Sequence, residues 1–216
     1  MHAVLRSNAQ SLFESIENLF DGFFGGADNP LRHLGALGLY FLWILVATGL
    51  YMYTVLDTSI DGVYNSIGWL SREQWYLGGI LRSLHRYASD AAVVAALVHA
   101  LRVYAQGRSW GSRTLAWVTG LILLFVVFVS GWTGYVMVWD VQAQVLATEG
   151  ARLFDVLPIF SEPISRAFVG ERPIPGAFFF LNLFAHIAFP IGLGLVVWLH
   201  VSRVARPGLL PPRPLM

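Results

Sequence analysis

The sequence predicts an all-α integral membrane protein: a bundle of four transmembrane helices preceded by an amphipathic helix lying at the membrane interface. Of its 216 residues, 56% are hydrophobic and only 12% are charged. The mean hydropathy of +0.60 is too high for an ordinary soluble domain. Four apolar stretches are each long enough to cross a hydrocarbon core of about 30 Å as a helix. The arginines are sorted between alternate connections, as a multi-pass topology requires.

The elements follow in chain order. Residues 1–28 hold no apolar run followed by a small-residue cleavage site, so they do not read as a secretory signal. Ser11 to Phe24 (SLFESIENLFDGFF) places Leu12, Phe13, Ile16, Leu19, Phe20 and Phe23 at helical spacing with acids between them. That pattern suits a helix at the cytoplasmic interface, and the same face would serve equally to pack against a partner subunit. A four-helix domain is expected over 29–206. Its spans are Leu34 to Val55, Gly79 to Ala105, Thr114 to Val138 and Ala177 to Val201. A Pro-rich cytoplasmic tail occupies 207–216.

The second span carries Arg82, Arg86, Asp90, His99 and Arg102. These are costly to expose to lipid, so they must face protein, cofactor or water. Every basic residue other than histidine is Arg. The connection between the second and third spans has Arg108 and Arg113 and no acid, and the tail has Arg203, Arg206 and Arg213 and no acid. The connection between the third and fourth spans instead mixes Asp140, Glu149, Asp155, Glu162 and Glu171 with Arg152, Arg166 and Arg172. By the positive-inside rule both termini and the connection between the second and third spans are cytoplasmic; the expected location is a bacterial inner membrane. A net charge of +1 without a basic stripe gives no footprint for nucleic acid. The absence of Cys excludes disulfides, thiolate-bound iron–sulfur clusters and thioether-attached haem.

The histidines carry the functional signal. His85 and His99 are fourteen positions apart, and so are His186 and His200. Fourteen helical residues are close to four turns, so each pair lies near one face with about 21 Å between its members. The second and fourth spans both follow an outer connection and run parallel, which pairs His85 with His186 at an outer level and His99 with His200 at an inner one. Pairing His85 with His200 would need a span of about 20 Å. Two facing imidazoles can ligate iron from both sides of a flat macrocycle, so the spacing predicts two stacked, non-covalently held haem b groups. A lone intramembrane histidine is as readily a hydrogen-bonding helix contact, but identical spacing in two spans favours ligands. Zinc is disfavoured, because there is no Cys and no His-x-x-His or His-Glu-x-x-His cluster.

Gly35 and Gly49 in the first span, and Gly120 and Gly134 in the third, share the interval of fourteen. Glycines there would admit the faces of two macrocycles, although glycine is common in membrane helices. Haem propionates need cationic partners. Arg82 and Arg86 adjoin the outer level, and Arg102 and Arg113 the inner one. Terminal arginines also snorkel to headgroups, and Arg108 is read that way. Asp90, four residues after Arg86, is read as its ion-pair partner.

With these residues go the strings LRSLHRYAS, VHALRVYAQG, LAWVTG and TGYVMVWD. Together they resemble cytochrome b of the quinol-oxidising cytochrome bc complexes, over about Asn29 to Arg206. The extent is most similar to the short, split cytochrome b of the photosynthetic bf type, which carries only the haem-bearing half. The resemblance implies a respiratory-chain di-haem subunit with His85, His99, His186 and His200 as ligands and Arg82 as a propionate partner. It also implies electron passage from an outer quinol site toward an inner quinone site. Its partners would be the second cytochrome b half with a Rieske protein or cytochrome c, in a complex that could be homodimeric.

Several departures bear on the outer site. The family's Pro-Glu-Trp-Tyr motif belongs to its other half and is absent here. Val138 precedes Trp139 where the family has Pro, and Asp140 to Gly150 keeps little of the usual outer loop. Leu181 and Asn182 occupy the region of a missing arginine. His33 stands where the split form has a Cys that anchors an extra haem, so that covalent haem is not expected. The residues leave open two further functions: a haem module wiring another dehydrogenase or reductase to the quinone pool, and a non-redox scaffold.

Overall fold

The computed structural model describes residues 2–158, 161–168, 174 and 176–204. The tail 207–216, with Arg213, lies outside the described residues, as do Glu171, Arg172 and Arg206. Among the described residues the regular structure is entirely helical. The helices are α1 (His2–Phe24), α2 (Leu34–Val55), α3 (Ile60–Arg72), α4 (Ile80–Ala105), α5 (Thr114–Met137), α6 (Val141–Asp155) and α7 (Gly176–Val204). Short 3-10 turns at Pro30–Arg32, Gly111–Arg113 and Ile164–Phe168 and a π turn at Trp75–Gly79 link them.

Helices α2, α4, α5 and α7 are long and apolar enough to cross a membrane, and α4 with its preceding turn is the least apolar of the four. Their bounds lie within a few residues of those read from hydropathy. Helix α1 begins at His2 rather than Ser11, since residues 2–10 contain neither Gly nor Pro to stop it. Helices α3 and α6 are additions to the sequence reading. Each starts at a capping side chain: Ser59 Oγ accepts from the Gly62 amide at 3.0 Å, and the Asp140 carboxylate accepts from the Ala143 amide at 2.8 Å.

The chain divides into two compact units, and the division cuts across all four long helices. Among the described residues, the first unit comprises 2–45, 87–127 and 191–204. Its apolar centre is Ala92, Val127 and Leu193, with Phe41, Leu45 and Leu123 packed against them. Helix α1 is tied in by polar contacts. Asn29, fully buried, donates to the Glu17 carbonyl at 3.0 Å and to the Asp21 carboxylate at 2.6 Å, while its own oxygen accepts from the Leu31 amide. That bond from Asn29, with Arg32 beside it at 2.6 Å, holds the Asp21 carboxyl below its usual range. Arg102 Nε donates to Glu17 Oε1 at 2.6 Å, with side-chain exposures of only 15% and 12%.

Among the described residues, the second unit comprises 46–86, 128–158, 161–168, 174 and 176–190. Here the turn before α4 presses against α3: a Cβ on Gly78 would lie 2.4 Å from Leu70 Cδ1, so only glycine permits the approach. Helix α6 buries Ala143, Ala147 and Ala151, one per turn. Trp139 ends α5 at φ +54°, a left-handed conformation that bulky residues rarely adopt. Its ring is held by Phe168, Phe178 and Phe179, the last at 4.9 Å. Asp155 accepts from the amides of Ser165 and Ile164, which keeps its carboxyl below the usual range. In both units many large apolar residues of the long helices face outward, as Trp43 at 74% and Phe180 at 64% exposure illustrate. That inversion suits helices that pack closely in lipid.

Removing one partner of a mostly buried ion pair strands the other. Glu17→Ala should therefore destabilise the protein by about 3 kcal/mol, whereas Glu14→Ala, on the exposed side of α1, should be nearly neutral. Thermal unfolding of both variants in detergent checks this; equal behaviour would mean that the Glu17–Arg102 contact holds nothing.

Candidate metal centres

Each unit brings together one pair of the sequence-identified histidines with one pair of the glycines. In the second unit His85 of α4 and His186 of α7 have ring centroids 6.2 Å apart, with planes inclined at 58°. A first-row metal bound by an imidazole nitrogen about 2 Å away on either side would place two ring centroids roughly 6 Å apart. The observed separation fits that requirement. A Cβ on Gly49 would fall 3.1 Å from His85 Cε1, and one on Gly134 would fall 2.8 Å from His186 Cε1. In the first unit, a Cβ on Gly35 would meet His99 Cε1 at 3.4 Å, and one on Gly120 would meet His200 Cε1 at 3.1 Å. The space left at each glycine is thus occupied by the edge of an imidazole.

The Nδ1 atoms of three rings are engaged. Thr48 Oγ1 lies 2.9 Å from His85 Nδ1, and Thr119 Oγ1 lies 3.1 Å from His200 Nδ1. His186 Nδ1 has Thr133 Oγ1 at 3.2 Å and donates to the Ser130 carbonyl at 2.9 Å. Among the described residues no group of three or more His, Asp or Glu side chains is placed to hold a metal ion. A centre held by two imidazoles therefore needs its other donors from a prosthetic group, and a tetrapyrrole is the group whose iron takes two axial imidazoles.

The arginines are placed less uniformly. Arg82 Nη1 donates to Ser71 Oγ at 3.1 Å and has Asp140 and Arg86 as charged neighbours. Arg86 lies over the Tyr135 ring at 5.4 Å. Arg102 is paired with Glu17. Arg113 closes the turn that opens α5. Arg108, which the sequence suggests as a headgroup anchor, is exposed. Partial desolvation first, then the like charges of Arg113 and Arg102, hold its guanidinium below its usual value. These three arginines form one positive cluster in the first unit.

Sequence reasoning passed over Thr48, Thr119, Thr133 and Glu17, and named Asn182 only as occupying the region of a missing arginine. A signal for the threonines was present, since each directly precedes a site glycine. Asn182 is buried and donates from Nδ2 to the Thr133 carbonyl at 2.9 Å, tying α7 to α5 one turn before His186. His33 is engaged locally, donating from Nε2 to the Ala27 carbonyl at 2.8 Å.

A family model described as cytochrome b/b6/petB matches residues 29–207. Among curated proteins, the menaquinol:cytochrome c reductase cytochrome b subunit of Bacillus subtilis (strain 168) is 26% identical over 193 residues, spanning 85% of this chain and 86% of that protein. The subunit of the same name from Geobacillus thermodenitrificans matches at 26% over the same lengths.

The glycine contacts give a graded expectation. Gly134→Ala should push the His186 ring aside and alter the visible absorption of the purified protein. Gly38→Ala, where an added Cβ meets nothing within 4 Å, should leave the spectrum unchanged. Identical spectra for the two variants would remove any special role for Gly134.

Proposed function

The chain belongs to the cytochrome b family, and on that premise we propose that it is the haem-bearing subunit of a bc-type quinol-oxidising complex, passing electrons across the membrane. One observation carries the proposal: two histidine pairs shared by α4 and α7, each ring backed by a glycine of α2 or α5. His85 with His186 would hold one haem b, and His99 with His200 a second. When bound, haem supplies one-electron oxidation and reduction at its iron.

The protein's part is to hold, orient and shield. His85 with His186, and His99 with His200, would hold the iron from both sides, and a haem so held would supply electron transfer rather than oxygen binding. The glycines seat the rings without displacing the helices. Arg82 and Arg86 provide positive charge beside the first pair, and Arg108 and Arg113 beside the second, where the carboxylates of a haem can be met. Arg102 contributes less, because Glu17 offsets its charge.

From the relatives' names we take the donor to be a quinol of the menaquinol class and the acceptor to be reached through cytochrome c. Partner subunits would supply the remaining cytochrome b half and a Rieske or cytochrome c component. The arginine distribution favours a cytoplasmic-membrane protein with both termini on the cytoplasmic side, with His85 and His186 toward the outer face. The rise of α4 between its two histidines, about 21 Å, covers much of a core about 30 Å thick.

Pyridine haemochrome analysis of the purified protein should give two haem b per chain. His85→Ala and His186→Ala should each remove the same centre, and His99→Ala and His200→Ala the other; a single haem, or none, in the unaltered protein would overturn the proposal. Arg82→Gln should lower the midpoint potential of the His85/His186 centre, since loss of a nearby positive charge favours the oxidised iron. An unchanged potential would leave Arg82 as a partner of Ser71 alone.

A further inference from the structure

The structure assigns a positioning role to Thr48, Thr119 and Thr133: their hydroxyls fix which nitrogen of His85, His200 and His186 carries the proton, and so present Nε2 to the metal. The inference rests on the haem-binding function proposed above and goes beyond the ligands themselves. Each threonine immediately precedes a site glycine, in Thr48–Gly49, Thr119–Gly120 and Thr133–Gly134. One dipeptide therefore does two things: the glycine makes room for the ring, and the hydroxyl one position earlier meets its Nδ1.

A count of protons decides the tautomer. The Thr119 hydroxyl donates to the carbonyls of Leu115 at 2.8 Å and Ala116 at 3.0 Å. The Thr133 hydroxyl donates to those of Val129 at 3.0 Å and Ser130 at 2.9 Å. A hydroxyl has one hydrogen, and in both residues it is committed to the residue's own helix. Its oxygen can then only accept from the imidazole, so Nδ1 must be the donor. The Ser130 carbonyl, 2.9 Å from His186 Nδ1, enforces the same assignment because a carbonyl cannot donate. His186 and His200 are thereby fixed as Nδ1–H tautomers with the Nε2 lone pair free. Thr48, buried and 2.9 Å from His85 Nδ1 in the same Thr-Gly context, plays the same part there.

The fourth histidine differs. Gly35, which faces His99, follows Leu34, so no hydroxyl is supplied from that position. The His85/His186 pair is anchored by two threonines and the His99/His200 pair by one. An imidazole that donates from Nδ1 is a more basic ligand at Nε2 and favours the oxidised metal. Loss of a hydroxyl should therefore raise the potential of the centre it serves and leave the other alone.

The test uses the purified complex with its native haem and the near-isosteric Thr119→Val and Thr133→Val, each beside its Ser counterpart. Potentiometry and electron paramagnetic resonance of the oxidised low-spin centres are the readouts. Thr119→Val should shift upward the midpoint potential of the centre lost in His200→Ala, with altered g values. Thr133→Val should do so for the centre lost in His186→Ala, and both Ser variants should match the unaltered protein. Loss of haem in a Val variant but not in its Ser partner would also support the role. Unchanged potentials and g values in Val variants that keep both haems would overturn it, as would Ser variants that shift as far as Val. Absence of haem from the unaltered complex would instead sink the functional proposal on which it rests.

Discussion

An imidazole or guanidinium carried into the hydrocarbon layer keeps its place only if neighbouring helices satisfy it, because no water is there to do so. The polar contacts of the long helices answer to that constraint. Threonine hydroxyls meet three histidines, Asn182 reaches the Thr133 carbonyl, Arg82 reaches Ser71, and Glu17 meets Arg102. None of these contacts depends on an exposed surface. Each joins two different helices, so satisfying the polar group and docking the helices are a single event.

The same constraint explains the residue sizes. Apolar area gives little drive for helices to associate in lipid, so close contact of backbones must supply it. Helix α6 turns alanines inward, and the site glycines admit imidazole edges that even a methyl would displace. Large apolar side chains are left on the outside, where a soluble protein would place charges. The inward face carries small residues and the polar groups that act, beside a few apolar side chains such as Val127 and Leu193.

Much of this was legible in the sequence. The four spans stand out by hydropathy, and the doubled interval of fourteen identifies the histidines and glycines that the structure brings together in each unit. Helices α3 and α6 escaped notice because each is too short to span and lies in a connection rich in polar residues. Their caps at Ser59 and Asp140 were the available signs. Proximity to His99 suggests Arg102, but its pairing with Glu17, eighty-five residues earlier, is not legible; no local pattern encodes a pairing so distant in sequence. The threonines went unremarked for another reason. Thr is ordinary in membrane helices, and only its position beside the glycines, once these are seen to face the rings, gives it meaning.

The low apolarity of α4 has a consequence for biogenesis. A charged residue near a helix centre costs about 2.5–3.5 kcal/mol on the insertion scale, and α4 carries Arg82, Arg86, Asp90 and Arg102. As it leaves the ribosome it is a poor candidate for lipid by itself. What has emerged before it is α1, which holds Glu17 for Arg102, and α2, which holds Thr48 and Gly49 for His85. Some partners of α4 thus precede it in the chain, while Tyr135, for Arg86, follows it in α5. A chain that ended after α4 would keep partners for Arg102 and His85 but lack the Tyr135 ring and both histidines of α7.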